Sequence, residues 1–312
     1  MARNKQQGIW RSRVFTSVLR TLGLCAFILM FALPLKSYGQ LGLDSVTNFA
    51  VYAEDTLTVN GTPATTVNGD VGLGGPNGMQ NFGSAFTING TYRVDSSANN
   101  NNTYNDANFT GHTVTQSLAY VTATVNGVST DAASLPSTTH DPGLTSSTLL
   151  NTNYLFVGNS GTNVIDVGTI SLNGNKHLTL QGGPNDYFVF NVSNYATFLQ
   201  VGSTPIVLSG VATNHVLFNL LNTSAGANAL TSTGGVTLLG TFIAPDASMD
   251  IMNLGGSDTI YGGVFAGGST LTINSGTITA DVFMLPEPSS FALVGISCLF
   301  SLGLWSRRRT RR

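Results

Sequence analysis

Apolar and polar residues alternate through the second half of the chain, and the alternation repeats in two registers. Six positions recur 28 residues later with similar side chains, and six more recur 22 residues later. The matched positions are Leu178, Leu180, Gly182, Phe190, Asn191 and Val192 with Ile206, Leu208, Gly210, Phe218, Asn219 and Leu220, then Leu238, Gly240, Phe242, Ala244, Met249 and Ile251 with Ile260, Gly262, Val264, Ala266, Leu271 and Ile273. Alternation at period two places successive side chains on opposite faces, which predicts strands over residues 178–278.

Each repeated unit is too short to bury its own apolar face. Repeats of roughly 20 to 30 residues that contain short strands and glycine turns are typical of stacked coils, in which each coil covers the next. The sequence therefore predicts an all-β solenoid. A β-sandwich whose strands resemble one another by chance is the alternative, and the matched spacing favours the solenoid.

One segment follows a helical period instead. Val114, Leu118, Val121 and Val125 lie at i, i+4, i+7 and i+11, and Gly127 is suited to end a helix there. This spacing predicts one long helix beside the solenoid, although β-branched residues disfavour helices. The asparagine-rich residues 95–108 before it contain too few apolar groups to pack and predict an exposed loop.

The charges lie mostly at the two ends of the chain. Between residues 40 and 285 there are two basic and 14 acidic residues, although the whole chain has a formal net charge of −2. Because nucleic-acid binding requires clustered cations, we expect no nucleic-acid partner. Both cysteines, Cys25 and Cys298, lie in terminal apolar runs, so the body has no disulfide and no thiolate site.

Residues 1–39 have the organisation of a secretory signal peptide. Basic residues precede an apolar run at 22–33, and the small residues Ser37 and Gly39 suit cleavage after Gly39. The alternative is a retained anchor, but twelve apolar residues are too few to span a bilayer comfortably. We therefore predict a signal helix that is removed on export.

The last 27 residues contain three parts in a fixed order. Pro286, Glu287 and Pro288 precede an apolar run at 291–305, and a basic cluster follows that includes Arg307, Arg308 and Arg309. The run is near the short limit of a transmembrane helix, and the arginines would hold its end in the cytoplasm. This ending resembles the PEP-CTERM sorting signal of Gram-negative bacteria.

That resemblance implies a route to the cell exterior. An exosortase-type membrane peptidase would recognise Pro286, Glu287 and Pro288 while the C-terminal helix holds the protein transiently in the inner membrane. Removal of residues 286–312 would then pass the body to the cell surface or to extracellular polymer. A plain C-terminal anchor is the alternative.

The body, residues 40–285, carries a second resemblance. The segments 49–53, 66–72, 240–244 and 271–274 are similar to the ice-binding-like family, and 243–247 and 262–267 are similar to the choice-of-anchor-A family. The ice-binding-like family implies an irregular right-handed β-solenoid with one long helix packed alongside. The asparagine-rich insert departs from both families.

Catalytic and metal-binding motifs are not evident. The four histidines have no metal-ligand spacing, and we expect no cofactor and no metal. Glu54 and Asp55 point to opposite faces if they lie on one strand, so they are poor catalytic partners, and Asp246 with Asp250 forms no calcium loop. We therefore predict that the protein is not an enzyme; a carbohydrate-active enzyme is the least favoured alternative.

Outward threonine and asparagine side chains offer a different activity, which is recognition of a surface. Ranks of hydroxyls and methyls at strand spacing can match ordered water, although threonine is also common on any solvent-facing strand. Two hypotheses remain: an adhesive or structural protein that contacts matrix polysaccharide, and a protein that adsorbs to ice. The predicted surface-binding row consists of Thr270, Thr272, Asn274, Thr277 and Thr279, with Thr58 and Asn60 as weaker candidates.

Overall fold

The structure is a computed structural model. It describes residues 43–60, 64–75, 78–83, 85–98, 109–138, 144–145, 148–200, 202–222, 228–246, 248–251, 258–267 and 270–284. The predicted signal peptide and sorting tail lie outside these ranges, together with most of the asparagine-rich segment. Within the described residues, no helix has both the length and the apolar character needed to cross a membrane.

Short strands form most of the described chain. The first group is β1 (Phe49–Ala53), β2 (Thr56–Val59), β3 (Thr65–Asn68), β4 (Asp70–Leu73), β5 (Met79–Phe82), β6 (Phe86–Asp95) and β7 (Phe109–Gln116). Helix α1 (Ala119–Ser134) follows. The second group is β8 (Leu149–Leu150), β9 (Tyr154–Val157), β10 (Thr162–Asn173), β11 (Leu178–Gln181), β12 (Tyr187–Leu199), β13 (Ile206–Ser209), β14 (Val216–Leu220), β15 (Asn228–Thr233), β16 (Thr237–Leu239), β17 (Thr241–Ala244), β18 (Ser248–Ile251), β19 (Asp258–Tyr261), β20 (Val264–Ala266), β21 (Thr270–Ile273) and β22 (Gly276–Thr279). Two 3-10 turns, Asp44–Val46 and Thr213–His215, complete the elements.

Successive strands turn onto three faces, and the long strands β6, β7, β10 and β12 bend from one face to the next. Face A stacks the first halves of β10 and β12, then β14, β17, β20, β1, β4 and the second halves of β6 and β7. Face B stacks β8, the second halves of β10 and β12, then β15, β18, β21, β2 and β5. Face C contains β9, β11 and β13, and then β16, β19, β22, β3 and the first residues of β6 and β7. All of these pairs are parallel, which confirms the solenoid and excludes an antiparallel sandwich.

The two sequence repeats correspond to adjacent coils. The 28-residue repeat pairs Phe190 with Phe218, and the 22-residue repeat pairs Leu238 with Ile260. Equivalent apolar positions therefore lie one above the other in the core. The sequence repeats predicted these pairs correctly because one coil occupies one repeat.

The order of coils in space differs from their order in the sequence. Strand β1 pairs with β20 near the end of the chain, through Val51 opposite Val264 and its neighbours. The first described residue, Leu43, also donates its backbone N–H to the carbonyl of Phe283 at 3.4 Å. Both ends of the described chain thus meet in the middle of the stack, and we call this junction of β1, β2 and β3 with β20, β21 and β22 the seam.

Aromatic rings are stacked inside the solenoid. The rings of Phe190, Phe218 and Phe242 lie on consecutive coils, with centroids 4.9 and 4.8 Å apart and interplanar angles of 12° and 7°. These centroid distances match the roughly 4.8 Å between hydrogen-bonded strands. The strand ladder therefore fixes the stacking, and all three side chains are fully buried.

Helix α1 covers face A. Its buried residues Val121, Val125, Val128 and Ala132 share one apolar cluster with side chains that point outward from face A. Those strand residues include Tyr52, Val189, Leu217, Ile243 and Phe265. The helix therefore covers the middle of face A, and among the described residues no helix packs on face B or face C.

The predicted helix exists, but its predicted limits were wrong. Val114 lies in β7 opposite Arg93, so the helix begins only at Ala119. Gly127 does not end it, because Val128 and Ala132 continue the apolar contact with face A for two further turns. A Cβ atom at Gly127 would have no neighbour within 4 Å, so this exposed glycine is tolerated inside the helix.

Candidate surface-binding site

Face C carries one unbroken line of threonines. We call this line the threonine column: Thr237, Thr259, Thr277, Thr66, Thr87 and Thr110, each directly opposite the next in the strand register. Every member is at least partly exposed, because it alternates with inward residues such as Ile260, Ile278 and Val67. With roughly 4.8 Å between strands, the six residues cover about 24 Å along the solenoid.

A second outward line runs beside the threonine column. It consists of Leu239, Tyr261, Thr279, Asn68 and Asn89. Its polar members are held by side-chain hydrogen bonds: Nδ2 of Asn89 donates to Oδ1 of Asn68 at 2.8 Å, and Nδ2 of Asn68 donates to Oγ1 of Thr279 at 3.1 Å. These contacts order the face before any ligand arrives.

Face B also presents hydroxyl groups, but its outward line is less uniform. The central line is Ser171, Thr197, Thr231, Asp250, Thr272, Thr58 and Asn81. By strand register, an acidic residue, Asp250, occupies the middle position of this line. The neighbouring line combines Leu149, Thr169 and Tyr195 at one end with Thr270, Thr56 and Met79 at the other. Face C is therefore the more regular surface.

The structure divides the predicted surface-binding row between two faces. Thr270 and Thr272 lie on β21 of face B, and Thr277 and Thr279 lie on β22 of face C. Asn274 lies in the connection between these strands. Of the weaker candidates, Thr58 lies beside Thr272 on face B, and Asn60 follows the end of β2.

Of the six members of the threonine column, only Thr277 was predicted from the sequence, and the other five were missed. A local signal was present for four of the five, since Thr66, Thr87, Thr237 and Thr259 each precede a buried aliphatic residue in a strand. The same pattern occurs in strands of both open faces. Only the stacking order of the coils shows which threonines share a face.

The strands of face C carry one acidic residue near the threonine column, and it points inward. Asp258 is fully buried and accepts hydrogen bonds from Ser232 Oγ at 2.8 Å, Gly235 N at 2.7 Å and Val236 N at 2.8 Å. Burial raises its pKa, while these hydrogen bonds lower it in part. The outward positions of the threonine column and of the line beside it contain no charged residue.

The acidic residues singled out from the sequence lie apart from face C. Glu54 follows β1, and burial raises its pKa, with Asp55 and then Asp246 adding electrostatic repulsion. Among the described residues, no three His, Cys, Asp or Glu side chains are grouped so that they could hold a metal ion. The single ion pair found among them, Arg93 Nε with Asp70 Oδ2 at 2.8 Å, belongs to face A. His112, His177 and His215 are described and lie on separate strands or turns; His140 is outside the described residues.

Three solved structures with the same fold are ice-binding proteins from Antarctic or Arctic sources. An ice-binding protein from an Antarctic biological consortium is 19% identical, with a TM-score of 0.52 over 77% of this chain and 90% of that chain. An ice-binding protein from the Antarctic ascomycete Antarctomyces psychrotrophicus is 21% identical, with a TM-score of 0.52 over 77% and 98%. A glycosylated ice-binding protein from an Arctic yeast is 16% identical, with a TM-score of 0.50 over 80% and 97%. At these identities the likeness shows the fold, a right-handed type of β-solenoid with one helix.

A search of curated protein sequences finds no match. A family model does match, and it covers residues 38–280 of the 312. That model is described as an ice-binding-like adhesive domain, and its limits contain every strand and the helix described above. The chain therefore belongs to the ice-binding-like adhesive domain family.

Proposed function

We propose that the domain adsorbs to ice through face C, with the threonine column as the main contact. The observation that carries this proposal is the register of six outward threonines on six consecutive strands. Each threonine presents a hydroxyl, which donates and accepts hydrogen bonds, and a methyl group. A straight column repeats both groups at one constant spacing, as a crystalline surface requires.

Two further properties of face C support adsorption to ordered water. Its outward lines carry no charged residue, so no strongly hydrated group has to lose its water. Its threonines lie on hydrogen-bonded strands, and the asparagines beside them are already bonded to one another and to Thr279. A surface that is ordered before contact loses little conformational entropy on binding.

Delivery to the cell exterior is the second part of the proposal. Residues 1–39 act as a signal peptide cut after Gly39, residues 40–285 form the folded body, and residues 286–312 act as the sorting tail. An exosortase-type peptidase in the inner membrane reads Pro286, Glu287 and Pro288 and releases the body to the surface. The protein then serves as a non-catalytic attachment domain that holds the cell or its polymer against ice.

Attachment to a neutral matrix polysaccharide is the second candidate, and one feature of face C favours it. The ring of Tyr261 is 45% exposed beside the threonine column, two strands from Asn68 on the same line. An exposed aromatic ring with amide and hydroxyl neighbours offers a flat apolar contact and hydrogen bonds to a sugar. The acidic body, with two basic residues against 14 acidic ones, disfavours an anionic polysaccharide.

The test compares matched substitutions on the two open faces. Thr277→Tyr places a bulky ring in the middle of the threonine column, and Thr272→Tyr places the same ring on face B. Both positions are half-buried outward residues on strands of the same coil, so their effects on folding should be similar. We expect ice recrystallisation inhibition and thermal hysteresis to fall strongly with Thr277→Tyr and to persist with Thr272→Tyr.

Other outcomes separate the alternatives. Loss of activity in Thr272→Tyr alone would move the site to face B. A parent protein no more active than serum albumin would remove ice binding. In that case a glycan array, repeated with Tyr261→Ala, tests the polysaccharide candidate.

The delivery proposal has its own test. Glu287→Ala alters the charged residue of the Pro-Glu-Pro motif and leaves the apolar run and the arginines in place. We expect unprocessed protein to accumulate in the inner membrane fraction, detected by its size on a gel. Normal amounts of mature-sized protein outside the cell would contradict the assignment of this motif.

A further inference from the structure

Exposed apolar side chains are concentrated at one end of the solenoid. Ten large apolar residues are substantially exposed among the described residues, and six of them come from the coils of β8 to β13. These six are Leu149 (45% exposed), Leu155 (59%), Val157 (62%), Tyr195 (44%), Leu199 (42%) and Val207 (37%). The two highest values both belong to β9, so this strand is the centre of the apolar end.

Strand β9 is also an open edge. Among the described residues it pairs only with β11, so the backbone groups on its other side have no strand partner there. All four of its residues, from Tyr154 to Val157, are apolar or aromatic, with no charge and no proline. Natural edge strands are usually protected by charged residues or proline, and an apolar edge without them pairs readily with another strand.

Two other strand edges of the solenoid differ from β9. The edge of β10 on face A is covered by Thr138. The backbone N–H of Thr138 donates to the carbonyl of Val164 at 3.0 Å, and Oγ1 of Thr138 accepts a hydrogen bond from Val164 N at 2.7 Å. The edge at the opposite end, β7, exposes Thr110 and His112 instead of apolar groups. At the opposite end, β5 on face B exposes one large apolar residue, Met79, whereas β9 exposes two, so the end that contains β9 is the more apolar of the two.

We propose that two copies of this chain associate through their β9 strands, paired antiparallel about Phe156. This register places Leu155 opposite Val157 of the partner subunit, and Val157 opposite the partner's Leu155. The four most exposed apolar side chains would then form two cross-strand contacts. Residues 148–160 carry no charge, so this end escapes the repulsion between acidic bodies that opposes contact elsewhere.

The symmetry of such a pair has a consequence for surface binding. Antiparallel strands in one sheet are related by a two-fold axis perpendicular to that sheet, which is the commonest symmetry of dimers. Face C of both copies would then point to the same side and form one longer surface. This consequence rests on the proposed function of face C, whereas the association itself does not.

Cysteine trapping tests the register. In the full chain, Cys25 and Cys298 are first replaced by Ser, so that an introduced cysteine is the only thiol. Chains with Leu155→Cys and Val157→Cys, mixed under oxidising conditions, should form a disulfide faster than either chain alone, because directly opposed residues lie closer than diagonal ones. Thr110→Cys at the opposite end is the control and should give no cross-link with any of them.

Sedimentation of the protein without cysteine substitutions provides a second measurement. We expect a dimer, and we expect Leu155→Lys with Val157→Lys to halve the mass by adding charge to the edge. Thr179→Lys on the neighbouring strand is the matched control and should remain dimeric. A monomer at all concentrations, or trapping of Leu155→Cys by Thr110→Cys, would overturn the proposal, and neither result depends on ice or glycan binding.

Discussion

Asn219 provides a test of how helix α1 is held on the solenoid. Its side chain is fully buried beneath the helix on β14. Oδ1 accepts a hydrogen bond from Ser129 Oγ at 2.6 Å, and Nδ2 donates to the carbonyl of Ser129 at 2.9 Å and to Asn191 Oδ1 at 2.9 Å. Asn191 in turn donates to the carbonyl of Ala132 and to Asp166, both at 3.0 Å. The amide line therefore joins two coils to the last turns of the helix.

The expected cost of Asn219→Ala follows from the groups it leaves behind. Ser129 and Asn191 are each 4% exposed, so a hydroxyl and an amide oxygen would lose their partner away from water. An unsatisfied buried group costs about 1–3 kcal/mol. Since the Ser129 hydroxyl can turn toward a carbonyl of its own helix, we expect the free energy of unfolding to fall by about 2–4 kcal/mol.

Urea unfolding measures this loss of free energy. If the unfolding free energy depends on urea concentration with the same slope in both proteins, the unfolded state is unaffected by the substitution. Asn194→Ala is the control, since exposed Asn194 makes a single side-chain bond, to Thr169 Oγ1 at 3.2 Å, and should cost under about 0.5 kcal/mol. The double variant with Ser129→Ala should cost less than the sum of the single variants. Equal, small losses for Asn219→Ala and Asn194→Ala would refute the role of the amide line.

Three other substitutions test the core, a corner carboxylate and a glycine turn. Phe218→Ala removes the middle ring of the aromatic stack and should cost about 3–5 kcal/mol in urea unfolding, a loss that Phe218→Leu should reduce. The pKa of Asp186 is lowered, first by the hydrogen bond that Gly183 N donates to its carboxylate. The ionised carboxylate therefore stabilises the folded protein above the unfolded pKa near 3.9. This contribution is lost as the pH falls through the lower pKa of the folded state. Asp186→Asn should therefore cost about 1–2 kcal/mol at pH 7, and the difference in thermal melts should shrink progressively as the pH falls below about 3.9. A Cβ at Gly262, with φ of +144°, would collide with the Gly240 carbonyl, so Gly262→Ala should lower the melting temperature more than Gly174→Ala, where φ is +65° but no atom lies within 4 Å.

The repeats predicted the local geometry of the solenoid well. Matching Phe190 to Phe218 and Leu238 to Ile260 identified residues that are directly opposed in the ladder. This succeeded because each coil has to repeat the inward pattern of the coil that it covers. Periodicity alone could not place the helix limits, since Val114 fits a helical spacing but lies in a strand, where Arg93 is its neighbour.

The candidate site was harder to predict for a topological reason. The proposed row from Thr270 to Thr279 assumed that residues close in the sequence share a face, but one coil turns through all three faces within about one repeat. Thr272 and Thr277 therefore point in different directions, whereas Thr277 and Thr66 are neighbours. No short-range pattern encodes the contact between the two ends of the chain.

The threonine column is completed only at the seam. Thr66, Thr87 and Thr110 come from the first coils, Thr237, Thr259 and Thr277 come from the last ones, and the two halves of the threonine column meet where β22 pairs with β3. The column therefore exists only after the first coils have docked on the last. A chain in which only the first or only the last coils had folded would present at most half of it, so on the proposed function the complete surface forms only when export and folding are both finished. Helix α1 strengthens this dependence, because its chain connects the first coils to the opposite end of the stack while its apolar side packs against strands on both sides of the seam.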